Sequence, residues 1–258
     1  ITKYDYSCGN EVSIPESIDG VNIKSIANNA FVASDNTKPL QSINMENASY
    51  LTTFSFSDFT NLKHATLPRT LVEIPQKAFF NCPLTTINLP GTVEKIDNYA
   101  FKGTSLSGSL YLPKSLKIIG VGAFASLKLT GTLTIPDSVT TISNEAFYNN
   151  KFTKLVIGPN SSLTTIGNNA FRNNQISNAI ALPKSLTTVG YNAFRANSIP
   201  KLALNYGLKS IGYEAFESNK ITGTINIPVT VEKIDTQAFQ SNQIEAVIFN
   251  KNSALTTL

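Results

Sequence analysis

The chain has no tryptophan, one histidine, one methionine and two cysteines in 258 residues. A single histidine, His64, excludes any metal site built on two histidines. Two cysteines, Cys8 and Cys82, are too few for the small cysteine-dense scaffolds of secreted domains. Charge is sparse as well: 15% of residues are Asp, Glu, Lys or Arg, against about 25% in an ordinary globular domain. The net charge of +4 is dispersed along the chain, whereas nucleic acid calls for a clustered basic face. No apolar run is long enough for a membrane-spanning helix. Neither a Walker-type glycine loop nor a Gly-x-Ser-x-Gly elbow occurs. These absences predict no cofactor, no metal and no nucleic-acid partner.

What is present is a repeat. The dipeptide Ala-Phe occurs at Ala30-Phe31, Ala78-Phe79, Ala100-Phe101, Ala123-Phe124, Ala146-Phe147, Ala170-Phe171, Ala193-Phe194, Ala215-Phe216 and Ala238-Phe239. From Phe79 the phenylalanines follow one another at 22, 23, 23, 24, 23, 22 and 23 residues. The gap between Phe31 and Phe79 holds a degenerate copy, read as Leu51-Thr-Thr-Phe54 followed by Asp58-Phe59, with Asp58 in the place of the alanine.

Each copy contains two apolar runs. The leading run reads Leu84-Thr-Thr-Ile87-Asn-Leu89-Pro90, with relatives ending at Leu112-Pro113, Ile135-Pro136, Leu182-Pro183 and Ile227-Pro228. Its period of two predicts a short strand with one buried face, ended by the proline, which cannot donate to a ladder. Four leading runs carry one extra residue, at Leu106-Ser-Gly-Ser, Leu129-Thr-Gly-Thr, Ile176-Ser-Asn-Ala and Ile221-Thr-Gly-Thr, which predicts a bulge or wider turn. The trailing run reads Val93…Ile96, Leu116…Ile119, Val139…Ile142, Leu163…Ile166, Leu186…Val189, Leu208…Ile211 and Val231…Ile234. Asp97, Gly120, Ser143, Gly167, Gly190, Gly212 or Asp235 follows, residues that tolerate unusual backbone angles. Three residues past the phenylalanine stands an asparagine, at Asn150, Asn174, Asn197, Asn219 and Asn242, with Cys82 in an earlier copy. Stacked in register, such asparagines satisfy backbone groups that the turn leaves unpaired.

No copy buries its apolar side chains alone, but stacked copies share one core. The expectation is a mainly β, right-handed solenoid of about ten to eleven coils, each of roughly 23 residues, with short parallel strands. Residues 1–20 read as an N-terminal cap and entry strand (Tyr4, Tyr6, Val12, Ile14, Pro15, then a turn at Asp19-Gly20), and 21–258 as the solenoid. The chain stops within a repeat and opens without methionine, so it reads as a piece of a longer protein, and missing targeting signals say nothing about location. The uncapped end at Leu255–Leu258 is an expected edge for association. Cys8 and Cys82 fall about three coils apart, about 15 Å by strand spacing, beyond the roughly 7 Å that a disulfide spans. Both are expected as free thiols. Asn47-Ala-Ser49 and Asn160-Ser-Ser162 match the N-glycosylation acceptor pattern.

The motif Leu-x-x-Ile-x-Leu-Pro-x-x-Val/Leu-x-x-Ile-x-x-x-Ala-Phe-x-x-Asn/Cys resembles the BspA-type leucine-rich repeat family, best at Leu84 to Thr104 and over nearly the whole chain from about Val12. The resemblance implies a leucine-rich-repeat-type solenoid with strands on its concave side. It also implies an extracellular or cell-surface setting and adhesion to host or microbial proteins, with no shared catalytic residues. Asparagine stands here where many members carry cysteine.

If the leading run forms the concave sheet, its outward positions would meet a protein ligand. The candidates are His64, Asn88, Tyr111, Thr134, Lys154, Val156, Lys201 and Ile248. The bland alternative is that such residues merely favour strands. Three functions follow: a non-catalytic protein-binding or adhesion module, a structural spacer presenting another domain, and a glycan-binding or glycan-processing surface. The last would need a pair of carboxylates, and no acidic pair falls on the outward positions.

Overall fold

The computed structural model describes residues 4, 9–32 and 37–257. Tyr6, Cys8 and Leu258 lie outside the described residues. Among those described there is no helix, and so none that could cross a membrane. The chain winds as a parallel β-solenoid. Glu11–Ser13 pairs in parallel with Ser42–Asn44, which pairs with His64–Thr66. Ser17–Ile18 and Val21–Asn22 form a small antiparallel hairpin, closed by Asp19 and Gly20 with φ of 50° and 78°.

The expected shared interior is present. Phe79, Phe101, Phe124, Phe147, Phe171, Phe194, Phe216 and Phe239 form one column of near-parallel rings at 5.2–5.7 Å between centroids. Phe31 and Phe56 extend it at 5.9 and 5.8 Å. All of these rings but Phe239 are buried, together with most inward leucines and isoleucines of both runs, while Ile87, Leu89 and Leu112 are half-buried.

The degenerate copy aligns differently from its expected reading. Its corner ring is Phe56, so Ser55 holds the alanine place and Phe59 the Asn/Cys place. The marker is backbone conformation. Each corner has a left-handed residue two positions past its phenylalanine: Asn81, Asn149, Asn173 and Ala196, with φ of 55° or 56°. Asp58, at φ 62°, is that residue for Phe56. Asn81 Nδ2 donates to its carboxylate at 2.8 Å, and this bond, with lesser help from Ser57, Lys38 and Lys77, holds the Asp58 carboxyl below its ordinary pKa.

The asparagines form the expected ladder. Asn197 Nδ2 donates to Phe171 O at 2.9 Å and Phe194 O at 3.1 Å, while its Oδ1 accepts from Ile176 N at 3.1 Å. Asn150, Asn174, Asn219 and Asn242 repeat this pattern one coil at a time. Each side chain thus ties its own turn to the coil before it. Cys82 does the same with a weaker donor, its Sγ lying 2.9 Å from Phe56 O. Cys82 is a buried free thiol, and burial pushes its pKa up to about 12.

The two runs build unequal sheets. The trailing runs give one unbroken eight-stranded parallel sheet, from Glu73–Ile74 through Lys95–Ile96, Ile118–Ile119, Thr141–Ile142, Thr165–Ile166, Thr188–Val189 and Ser210–Ile211 to Lys233–Ile234. The leading runs, from which strands were expected, give only fragments: Glu11–Ser13 with Ser42–Asn44 and His64–Thr66, Ser107–Gly108 with Lys128–Ile135 and Lys151–Ile157, Ile180–Ala181 with Leu202–Ala203, and Thr222–Ile227 with Gln243–Phe249. The extra residue explains most of the difference, although the break between His64–Thr66 and residues 84–90 falls between runs of equal length. A ladder needs equal residue counts in neighbouring strands or a bulge that absorbs the surplus. Trailing runs are constant in length. Leading runs are not, and bulges fall where the extra residue was expected, at Gly131/Thr132 and Gly223/Thr224.

The residues after the trailing run are small for a reason other than the expected one. Gly120, Gly167, Gly190 and Gly212 do not have left-handed φ. They mark where coils touch: a Cβ on Gly190 would stand 2.7 Å from Asn168 N. Gly190→Ala is therefore expected to destabilise by roughly 1–3 kcal/mol through overpacking, read as a lower denaturation midpoint. Gly91→Ala, with nothing within 4 Å of its Cβ, is the matched control and should leave the midpoint almost unchanged.

Candidate functional site

The outward positions of the leading runs lie where period two places them. Register pairs Ser42 with His64, Thr132 with Lys154, Thr134 with Val156, Ala181 with Ala203 and Asn226 with Ile248. The inward partners Leu133, Leu155, Ile180 and Leu202 are buried. His64, Asn88, Tyr111, Thr134, Lys154, Lys201 and Ile248 are exposed, and Val156 is half-buried. Tyr111 is the most exposed large hydrophobic residue among the described residues, at 84%.

Five of these eight residues come together. A depression of about 470 Å³ is lined by His64, Thr66, Thr86 and Asn88, with Glu46 and Arg69 at its edge. A second, of about 430 Å³, shares Thr86 and Asn88 and adds Ser109 and Tyr111. A third, of about 750 Å³, shares Ser109 and Tyr111 and adds Thr132, Thr134, Asp137 and Val156. Because neighbours share lining residues, the three form one groove along the face. Lys154, Lys201 and Ile248 do not line it.

The groove has a neutral floor and a charged rim. Its floor is Ile87, Leu89, Leu110, Leu112 and Ile135, the inward residues of three consecutive leading runs. At one end Arg69 forms an ion pair with Glu46; at the other Lys114 and Asp137 flank Tyr111. Period two could not reveal these rim residues, since they lie in the turns beyond the run. The groove exists because residues 84–90 form no strand and the next leading run pairs only at Ser107–Gly108.

The trailing face is built otherwise. Its charges pair from coil to coil: Lys95 with Glu73 at 2.9 Å, Lys117 with Glu94 at 2.7 Å, Lys209 with Glu232 at 2.8 Å. Glu73 first, and Asp97 after it, hold the Lys95 ammonium above its ordinary pKa. Exposed pairs of this kind add little stability each; they neutralise the face. At its centre Thr141, Thr165, Thr188 and Ser210 stand in register. The asymmetry is plain: one face is regular and self-paired, the other uneven and grooved.

Comparison with known proteins agrees with this architecture. The sequence profile of the BspA type leucine rich repeat region matches in six copies, over residues 24–154, 98–221 and 141–257. No curated protein matches the chain in sequence. Among solved structures, a leucine-rich repeat protein from Bacteroides ovatus is similar over 99% of this chain and 84% of its own, with a TM-score of 0.52 at 19% identity. YopM from Yersinia enterocolitica is similar over 85% of this chain and 48% of its own, with a TM-score of 0.52 at 20% identity. The pneumococcal vaccine antigen PcpA is similar over 99% of this chain and 73% of its own, with a TM-score of 0.51 at 20% identity. Identities this low speak for the fold alone.

Proposed function

The chain belongs to the BspA-type leucine-rich repeat family, and from that premise we propose that it is a non-catalytic recognition module of a secreted or cell-surface protein, holding a protein ligand on the outward face of its leading runs. The observation that carries this reading is the groove from His64 to Val156. It gathers an exposed tyrosine, an apolar floor and a charged rim on one face, the pattern of a protein contact with an apolar centre and polar edge. Repeat proteins of this type are generally binding surfaces. A rigid spacer is the second reading, favoured by the unbroken trailing sheet and the phenylalanine column.

The two readings part in one experiment. The chain is offered a panel of purified extracellular-matrix proteins, with Tyr111→Glu on the leading face and Thr165→Glu on the trailing face as variants. Recognition predicts that a bound protein is lost by Tyr111→Glu, by about tenfold or more as for an aromatic hot spot, and retained by Thr165→Glu. Binding to none of the panel, or binding indifferent to Tyr111, supports the spacer.

A further inference from the structure

The leading runs fail to pair between His64–Thr66 and residues 84–90, which are equal in length, and wherever an extended run follows a short one. The latter happens from Leu84 to Leu106, from Phe152 to Ile176 and from Ile199 to Ile221. The second of these seams is bridged along its length and the third is tied at its entry. Gln175 N donates to Phe152 O and Ser177 N to Thr153 O, and Asn178 bridges further, its Nδ2 donating to Leu155 O at 3.0 Å and its Oδ1 accepting from Leu155 N at 2.9 Å. Lys220 N donates to Ile199 O and Thr222 N to Pro200 O.

The first seam has none of this. Gly108 holds the place of Asn178, with φ at 75° and open space where a side chain would begin. The N–H and C=O groups of Thr85–Leu89 and Ser109–Leu112 make no hydrogen bond among the described residues. These two unpaired segments lie under the groove. Backbone groups seldom go unpaired once covered, so whatever covers the groove must bring its own donors and acceptors.

We infer that this open seam is a docking site for an extended polypeptide segment, whose main chain bonds to the free peptide groups of Thr85–Leu89 and Ser109–Leu112. The inference rests on the reading that the leading face binds a protein, and it names the part of the partner that is held. An extended main chain presents N–H and C=O groups at the spacing of another extended run, and alternate side chains supply specificity. Here those side chains meet Tyr111, Leu110, Leu112 and Val156. Phe79 and Phe101 remain stacked at 5.7 Å and the trailing strands Glu73–Ile74 and Lys95–Ile96 remain paired. The coils are therefore clamped behind the seam, and the segment approaches from the solvent side.

The test pans a phage-displayed library of random dodecapeptides on the full chain. An enriched peptide is then synthesised plain and with N-methyl groups on alternate residues. Gly108→Asn places an asparagine at the position of Asn178, on a left-handed backbone that Asn178 does not share but that asparagine tolerates, and its side chain would occupy the seam. The expected result is that Gly108→Asn, and separately N-methylation, each weaken binding about tenfold, the ratio for one or two lost hydrogen bonds. N-methylation leaves the protein untouched, so the test stands even if the variant folds poorly. Binding that tolerates both changes but is lost in Tyr111→Glu overturns the seam and keeps the face. Binding that tolerates all three overturns both. Failure to enrich any peptide overturns the seam, while the face is judged by whole proteins.

Discussion

Phe147→Ala is expected to lower stability by about 3–5 kcal/mol, the range for truncating a fully buried aromatic. The Phe147 ring lies 5.6 Å from Phe124, 5.5 Å from Phe171 and 6.1 Å from Phe152, and it is 0% exposed. No neighbour can collapse into the space, because each is held by its own coil at the corner. The loss should appear in equilibrium urea denaturation as a much lower midpoint. A repeat array is stabilised through nearest-neighbour interfaces, and Phe147 contributes to two of them. The unfolding transition should therefore also broaden or split, as the coils before Phe147 and those after it uncouple. An unchanged midpoint would mean that the column is decorative.

Asn197→Ala should also lower stability, by about 1–3 kcal/mol, by a different route. Ile176 N loses its partner outright, while Phe171 O and Phe194 O each lose one of two asparagine donors and keep Asn174 Nδ2 and Asn219 Nδ2. Each buried group left unsatisfied costs about 1–3 kcal/mol, moderated where water enters. Asn197→Cys should recover part of the loss, since the Cys82 thiol already serves an equivalent carbonyl, Phe56 O. Asn242→Ala makes the same chemical change on a half-buried side chain, so its effect should be smaller. Urea midpoints of the three variants give the order directly. Equal losses at Asn197 and Asn242 would show that burial does not set the value of this hydrogen-bond set.

Much of this architecture is legible in the sequence because it is periodic. The corner phenylalanines, the asparagine ladder and the outward positions of the leading runs follow from spacing alone, and the register pairs Thr134↔Val156 and Asn226↔Ile248 agree with it. Three features were not legible, each for a physical reason. Phe59 rather than Phe56 looked like the corner residue, because the distinguishing mark is the left-handed Asp58, a property of backbone angle. Gly190 and its equivalents looked like residues chosen for conformation, whereas they are chosen for contact with the coil beneath, which one strand's sequence does not display. The groove was invisible because it arises from pairing that fails between neighbours. Its signal was present in the alternation of short and extended leading runs, but what a length mismatch does depends on which coil comes first.

The rim of the groove illustrates the same limit. Arg69, Glu46, Lys114 and Asp137 belong to turns, and only the stacking of coils brings them beside His64 and Tyr111. Lys154, Lys201 and Ile248 share the face but not the groove.

The central claim is a division of labour: trailing runs hold the coils together and leading runs, unevenly laddered, are free to receive a partner. Native-state amide hydrogen exchange along the whole chain tests it most directly, because exchange reports the local cost of opening each bond. The account predicts slow exchange at Ile96, Ile119, Ile142, Ile166, Val189 and Ile211, slow exchange in Thr132–Ile135, and fast exchange in Thr85–Leu89 and Ser109–Leu112. Uniform protection along the leading runs, or fast exchange at the trailing isoleucines, would contradict it.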